Sequence, residues 1–194
     1  MARVRGMAFL GSASILKRRY GLEALPRVLA ASGPAAREVF SRPIDGLALH
    51  PYEALVGFLN GADLVLGGGE GALPELLGRE AARRDLTNVF KVYTQRPSAE
   101  QMIRACSPIW GMYYDDAGYM DAIDTSPDHT VVRILDFPSM APAHCRLMAA
   151  WMISALEVIG IRVLPGAAET ECTTTGGRFH EFACRWEPLG AAGR

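Results

Sequence analysis

The segment from His129 to Trp186 decides the fold. It contains HTVVRILDF (129–137), CRLMAAWMISALEVI (145–159) and ETECTTTGGRFHEFACRW (169–186). The first stretch is β-branched and apolar, which is typical of a buried strand. The second lacks Gly and Pro and consists mostly of helix-forming residues. The third predicts a β-hairpin around Thr174–Gly177. This order of elements favours helices packed against an antiparallel sheet.

The hairpin brings cysteine and histidine side chains together. With its tip near Gly176, Cys172 lies opposite His180, and opposed residues on paired strands point to the same face. We expect Cys145, in the first turn of the helix, to lie near this end of the sheet. A thiol at a helix N-terminus has a lowered pKa, which favours thiolate. The pattern therefore indicates a metal-capable cluster, and ordinary packing of small side chains is the alternative.

Composition narrows the class of protein. The chain has 194 residues, of which 49% are hydrophobic and 21% charged, and its formal net charge is −1. These values predict one globular domain over 1–187 and a flexible tail over 188–194. The absence of a basic surplus argues against a nucleic-acid partner. No apolar run reaches the roughly 18 residues of a membrane span, so we expect a cytoplasmic protein with reduced cysteines.

The most aromatic stretch is Pro108–Tyr119, and we predict that it forms a strand leading into a turn. Its Trp110, Tyr113 and Tyr114, together with Trp151 of the later helix, are candidates to line an apolar ligand pocket between the helices and the sheet. Packing in the core is the alternative for these rings.

Helical spacing of apolar residues predicts further helices, over 12–20, 23–31, 73–93 and 98–106. In the long helix over 73–93, Arg84 and Asp85 are expected on a mostly solvated face. Gly78 inside that helix marks a close crossing with another helix.

Four motifs together resemble a known family. They are VRG (4–6), LGREAA (77–82), WGMYYDDAG (110–118) and the Cys145 to Trp186 block. The chain resembles 4-vinyl-reductase-type (V4R) small-molecule-binding domains and related myxobacterial paralogues. These domains resemble haem nitric-oxide-binding domains and TRAPP subunits in fold.

The resemblance implies an α/β (α+β) fold, with helices on a mainly antiparallel sheet, and frequent homodimers. It implies a non-enzymatic role, in which a small apolar or aromatic molecule is held and its presence is signalled to a separate protein or through the dimer. It also implies a zinc site at Cys145, Glu169, Cys172 and His180. Phenol-sensing members have cysteine where this chain has His180, but histidine also binds zinc.

Two histidines are candidate haem ligands. His144 or His129 could supply an axial nitrogen. However, the Tyr-x-Ser-x-Arg motif of haem nitric-oxide-binding domains is absent, which argues against haem. Two other functions compete with the sensor: a TRAPP-like structural or interaction subunit, and a zinc-dependent or Cys145-based enzyme.

Overall fold

The structure is a computed structural model that describes residues 1–88, 90–94 and 98–187. It contains seven α-helices among these residues, and their bounds are α1 Gly6–Tyr20, α2 Ala24–Ala31, α3 Pro34–Val39, α4 Tyr52–Ala62, α5 Ala72–Thr87, α6 Ala99–Tyr113 and α7 Pro142–Val158. The strands are β1 Arg3–Arg5, β2 Leu49–Pro51, β3 Tyr114–Asp115, β4 Tyr119–Thr125, β5 His129–Leu135, β6 Ala168–Glu171 and β7 His180–Arg185. The predicted tail 188–194 lies outside the described residues.

The strands form two antiparallel sheets. The smaller has the order β2-β1-β3, and the larger has the order β4-β5-β7-β6. Helices α6 and α7 cover one face of the larger sheet, where Val132, Ile134 and Phe182 are buried. The predicted fold class, helices on a mainly antiparallel sheet, is confirmed.

The decisive C-terminal segment folds largely as its sequence indicates. Helix α7 begins at Pro142, a residue whose fixed φ suits the first helical position. In the hairpin, Glu171 pairs with Glu181, as the predicted tip requires. A bulge between Glu169 and Glu171 then shifts the register by one residue. After α7, the chain pairs with the residue just beyond β7 through a single bridge between Val163 and Trp186.

The strand predicted from Pro108 is wrong. Helix α6 continues through Pro108 to Tyr113, with Ser98 accepting a hydrogen bond from the Gln101 N–H at its start. Pro108 has no N–H, so the carbonyl of Arg104 lacks its helical hydrogen bond. Both residues are exposed, so water can bind that carbonyl. The strand signal came from the aromatic residues, of which Trp110 and Tyr113 instead lie on the buried side of the helix.

Helix α5 packs along α7, and Gly78 makes the close approach possible. A Cβ at this position would lie 2.1 Å from the carbonyl oxygen of Leu147. The crossing predicted from this glycine is therefore present. Within the described part of the chain, no helix has both the length and the apolar character needed to cross a membrane.

Candidate functional site

The four aromatic residues predicted to line a pocket surround one cavity. This cavity has a volume of about 50 Å³, and Trp110, Tyr113, Tyr114 and Trp151 all lie in its wall. Residues of α1, α4, α5, α6 and α7 complete the wall, and Met120 of β4 is the one contribution from the larger sheet. The cavity is thus lined mainly by helices, rather than lying between helices and sheet as expected.

A charged pair forms one side of this cavity. Asp85 is only 2% exposed and accepts hydrogen bonds from the Tyr113 hydroxyl (2.6 Å) and from Arg84 Nε (2.8 Å). Burial and the neighbouring Asp85 raise the pKa of Tyr113, which keeps its hydroxyl protonated. The prediction that Asp85 is solvated is wrong. Local spacing carried no signal for this burial, because the partner of Asp85, Tyr113, comes from another helix.

A fully buried histidine lies beside the cavity. His144 Nδ1 is 2.9 Å from the Tyr52 hydroxyl, and His144 Nε2 is 2.7 Å from the Tyr114 hydroxyl. The Tyr52 oxygen also accepts the Ala141 backbone N–H at 3.0 Å. Burial, reinforced by His180, lowers the pKa of His144 to about 3, so its ring is neutral. The ring stacks on Trp110 with their centroids 5.8 Å apart.

Two buried donors beside the cavity have no hydrogen-bond partner among the described residues. They are the indole N–H of Trp110 and Nη1 of Arg84. Gly11 leaves room for the Arg84 guanidinium, since a Cβ there would overlap it. Unpaired buried donors cost free energy, so this wall is suited to a hydrogen-bond acceptor.

The second candidate site joins α7 to the hairpin. Ligand atoms from Cys145, Glu169, Cys172 and His180 all lie within 4.8 Å of one another. The two sulfur atoms are 3.9 Å apart, and His180 Nδ1 lies 3.4 Å from Cys145 Sγ and 3.1 Å from Glu169 Oε1. The structure therefore brings all four predicted metal ligands together.

Thr173 fixes the orientation of the His180 ring. Its hydroxyl donates to the Pro138 carbonyl at 3.3 Å and lies 2.9 Å from His180 Nε2. Because the Thr173 proton is used by Pro138, its oxygen accepts the Nε2–H of His180. Nδ1 then faces the two thiols and the Glu169 carboxylate. Sequence reasoning missed this role of Thr173.

The electrostatics of the cluster differ from the expectation for Cys145. Burial, followed by the nearby Glu169 and Cys172, raises the pKa of this thiol, so the predicted lowering is wrong. For Glu169, burial raises the pKa, but hydrogen bonds from His180, Cys172 and Cys145 outweigh it and lower the pKa overall. In this state Cys145 is a thiol and Glu169 a carboxylate.

Among comparisons with known proteins, only those with solved structures give matches. No family model matches the sequence, and no curated protein matches it. Solved structures of H-NOX proteins do match. An H-NOX protein from S. oneidensis in the Fe(II)NO ligation state is 9% identical, with a TM-score of 0.72 over 94% of this chain and 99% of its own. An Fe(II) unliganded H-NOX protein from K. algicida is 7% identical, with a TM-score of 0.71 over 94% and 96%.

A structure from work on haem distortion in the H-NOX family is 12% identical, with a TM-score of 0.63 over 98% of this chain and 97% of its own. In fold, these matches support the haem-nitric-oxide-binding part of the predicted resemblance, and they give no support to its V4R and TRAPP parts. The cofactor prediction, zinc rather than haem, is contradicted by them, because the neighbours are haem and Fe(II) proteins.

Whether this chain's residues suit a haem is a separate question. The cavity of about 50 Å³ is far below the roughly 300 Å³ or more that a drug-sized ligand occupies, and a porphyrin is larger still. Both ring nitrogens of His144 are bonded to tyrosines, and His129 lies at the surface between Asp124 and Asp128. As packed here, these residues do not fit a haem. What the comparisons establish is that this chain has the H-NOX fold.

Proposed function

We propose that the chain is a non-enzymatic sensor domain that holds a small molecule in the cavity lined by Trp110, Tyr113, Tyr114 and Trp151. The observation that carries this proposal is the cavity itself, which lies among five helices of a fold shared with H-NOX proteins. The cavity wall is aromatic and apolar apart from a few convergent polar groups, which is typical of small-molecule sites. Occupancy is signalled to a separate protein or through a homodimer.

A cavity-filling substitution tests this function. Ala81 lines the cavity, so Ala81→Leu should occupy part of its volume and abolish binding of small neutral compounds in a ligand-observed NMR screen. Ala149→Leu on α7 is the matched control, because Ala149 lines a different and smaller cavity. Binding that survives Ala81→Leu, or no binding by the unmodified protein, would contradict the proposal.

The Cys145–Glu169–Cys172–His180 cluster supports a second part of the proposal, a site for a divalent transition-metal ion. Two sulfurs, one imidazole and one carboxylate form a four-donor set of the kind that such ions take. Thr173 would act on the far side of the His180 ring, as hydrogen-bonded partners of metal ligands commonly do. A bound ion would tie the first turn of α7 to the hairpin.

Metal analysis of protein purified without chelator tests this site. We expect close to one equivalent of metal per chain. Titration of the metal-free protein with Co²⁺ should produce a thiolate-to-cobalt absorption band. Cys172→Ser should remove both signals, whereas Cys184→Ser should keep them, since Cys184 is a free, half-buried cysteine outside the cluster. Absence of the band in the unmodified protein would reject the site.

A further inference from the structure

Hydrogen-bond direction along the His144 network leaves one proton unused. The Ala141 N–H donates to the Tyr52 oxygen, because a backbone N–H can only act as a donor. Tyr52 can then donate its own proton to His144 Nδ1. The proton of the neutral ring is on Nε2 and is donated to the Tyr114 oxygen. The Tyr114 hydroxyl proton has no acceptor among the described residues.

The opposite direction is less favourable. If His144 carried its proton on Nδ1, Tyr114 would donate to Nε2, and the unused proton would belong to Tyr52. Tyr52 is 6% exposed and does not line the cavity, so that proton would be buried without a partner. Tyr114 does line the cavity, where water or a ligand can accept its proton. The network therefore presents Tyr114 as a donor.

The Tyr114 hydroxyl thus joins a second donor on the same helix end. Trp110 is four residues earlier, its ring lies 4.2 Å from that of Tyr114, and its indole N–H is buried and unpaired. The unpaired Nη1 of Arg84 is a third donor in the wall. The one carboxylate there, Asp85, already accepts hydrogen bonds from Arg84 and Tyr113.

This distribution selects the chemistry of the ligand. A carbonyl oxygen has two lone pairs and can accept from two of these donors, whereas an anion would be buried without a counter-charge, because Arg84 is already paired with Asp85. A volume of about 50 Å³ holds roughly three to five non-hydrogen atoms, at 10–15 Å³ for each water-sized centre. We infer that the cavity binds a small neutral molecule through a carbonyl-type oxygen, held by Trp110 and Tyr114. This inference rests on the proposed sensor function and specifies its ligand.

Acetone and isobutene provide a matched pair of probes, because they share one skeleton and differ in C=O against C=CH₂. Binding is followed through the indole N–H signals in ¹H–¹⁵N spectra. The chain has three tryptophans, so three such signals are expected. Acetone should shift the Trp110 signal, assigned with Trp110→Phe, in a saturable way. The Trp186 signal should stay in place, because its N–H already donates to the Pro127 carbonyl at 2.9 Å.

Tyr114→Phe removes only a hydroxyl and should weaken acetone binding roughly two- to tenfold, the range for one hydrogen bond, without affecting isobutene. Tyr20→Phe is the control, at a largely exposed tyrosine outside the cavity. Equal binding of both probes would overturn the carbonyl inference and leave the sensor cavity intact. Binding of neither probe would overturn the inference and the proposed function together.

Discussion

At the scale of single residues, the most constrained side chain is His144. It is fully buried, bonded through both ring nitrogens to tyrosines and stacked on Trp110. The sequence marks this histidine only by its place beside Cys145, because its tyrosine partners, Tyr52 and Tyr114, come from distant segments. Likewise, Asp85 reads as one more charged residue on a helix until Tyr113 is placed against it. Partners that meet only through tertiary packing cannot be predicted from local spacing.

The buried neutral state of His144 predicts a pH dependence of stability. Its folded pKa of about 3 lies below the ordinary value of 6.5, so the unfolded state binds the proton more readily. His144 therefore leaves the free energy of unfolding unchanged above pH 6.5 and lowers it progressively as the pH falls from 6.5 towards 3. The expected slope is up to about 1.4 kcal/mol per pH unit.

Urea unfolding of the unmodified protein and of His144→Gln, measured between pH 7.5 and pH 4, checks this. The glutamine offers a donor and an acceptor but has no titrating ring, so its free energy of unfolding should fall less steeply in acid. Parallel pH profiles for the two proteins would show that His144 is not held neutral.

At the scale of elements, the contact between α5 and α7 depends on Gly78, which meets the backbone of Leu147. Gly78→Ala should therefore overpack this crossing and cost about 1–3 kcal/mol of unfolding free energy. Gly111→Ala is the matched control in helix α6, where a Cβ would meet nothing within 4 Å. That change should stabilise the protein by about 0.5–1 kcal/mol, because alanine is the better helix former. Urea unfolding measures both, and equal effects would contradict the close crossing.

Most elements could be predicted from the sequence, and the failures have physical causes. The hairpin and α7 carried strong local signals, in Thr174–Gly177 and in a run free of Gly and Pro. Helix α6 was predicted too short because Pro108 and the following aromatic residues resemble the start of a strand. Tertiary packing of those rings overrides their intrinsic preference. The bulge beside Thr170 had no signal in the sequence.

At the scale of the whole molecule, one continuous hydrophobic core includes residues from Ala2 to Trp186. The last described residues are well anchored: the Trp186 N–H donates to Asp128, and Arg162 pairs with Glu187. Long-range pairing of this kind explains why the order of strands in the larger sheet could not be read from local patterns. Hairpin geometry predicts Cys172 and His180, with Cys145 nearby, whereas Glu169 is predicted through the family resemblance alone.

Two truncations test the predicted domain boundary at residue 187. A chain ending at Glu187 should keep its free energy of unfolding to within about 0.5 kcal/mol of the full chain. A chain ending at Arg178 loses β7, which lies between β5 and β6, and should show no cooperative unfolding transition. Circular dichroism during urea titration measures both. A marked loss of stability in the chain that ends at Glu187 would move the boundary beyond residue 187.

The first turn of α7 belongs to both sites at once. His144 contacts Tyr114 of the cavity wall, and the next residue, Cys145, contacts His180 of the four-residue metal-ligand cluster. One rigid turn thus connects two places where separate molecules are proposed to bind, and neither residue can shift independently of the other. Thermodynamic linkage then makes the effect reciprocal: if filling the cluster changes cavity affinity by some factor, filling the cavity changes ion affinity by that same factor.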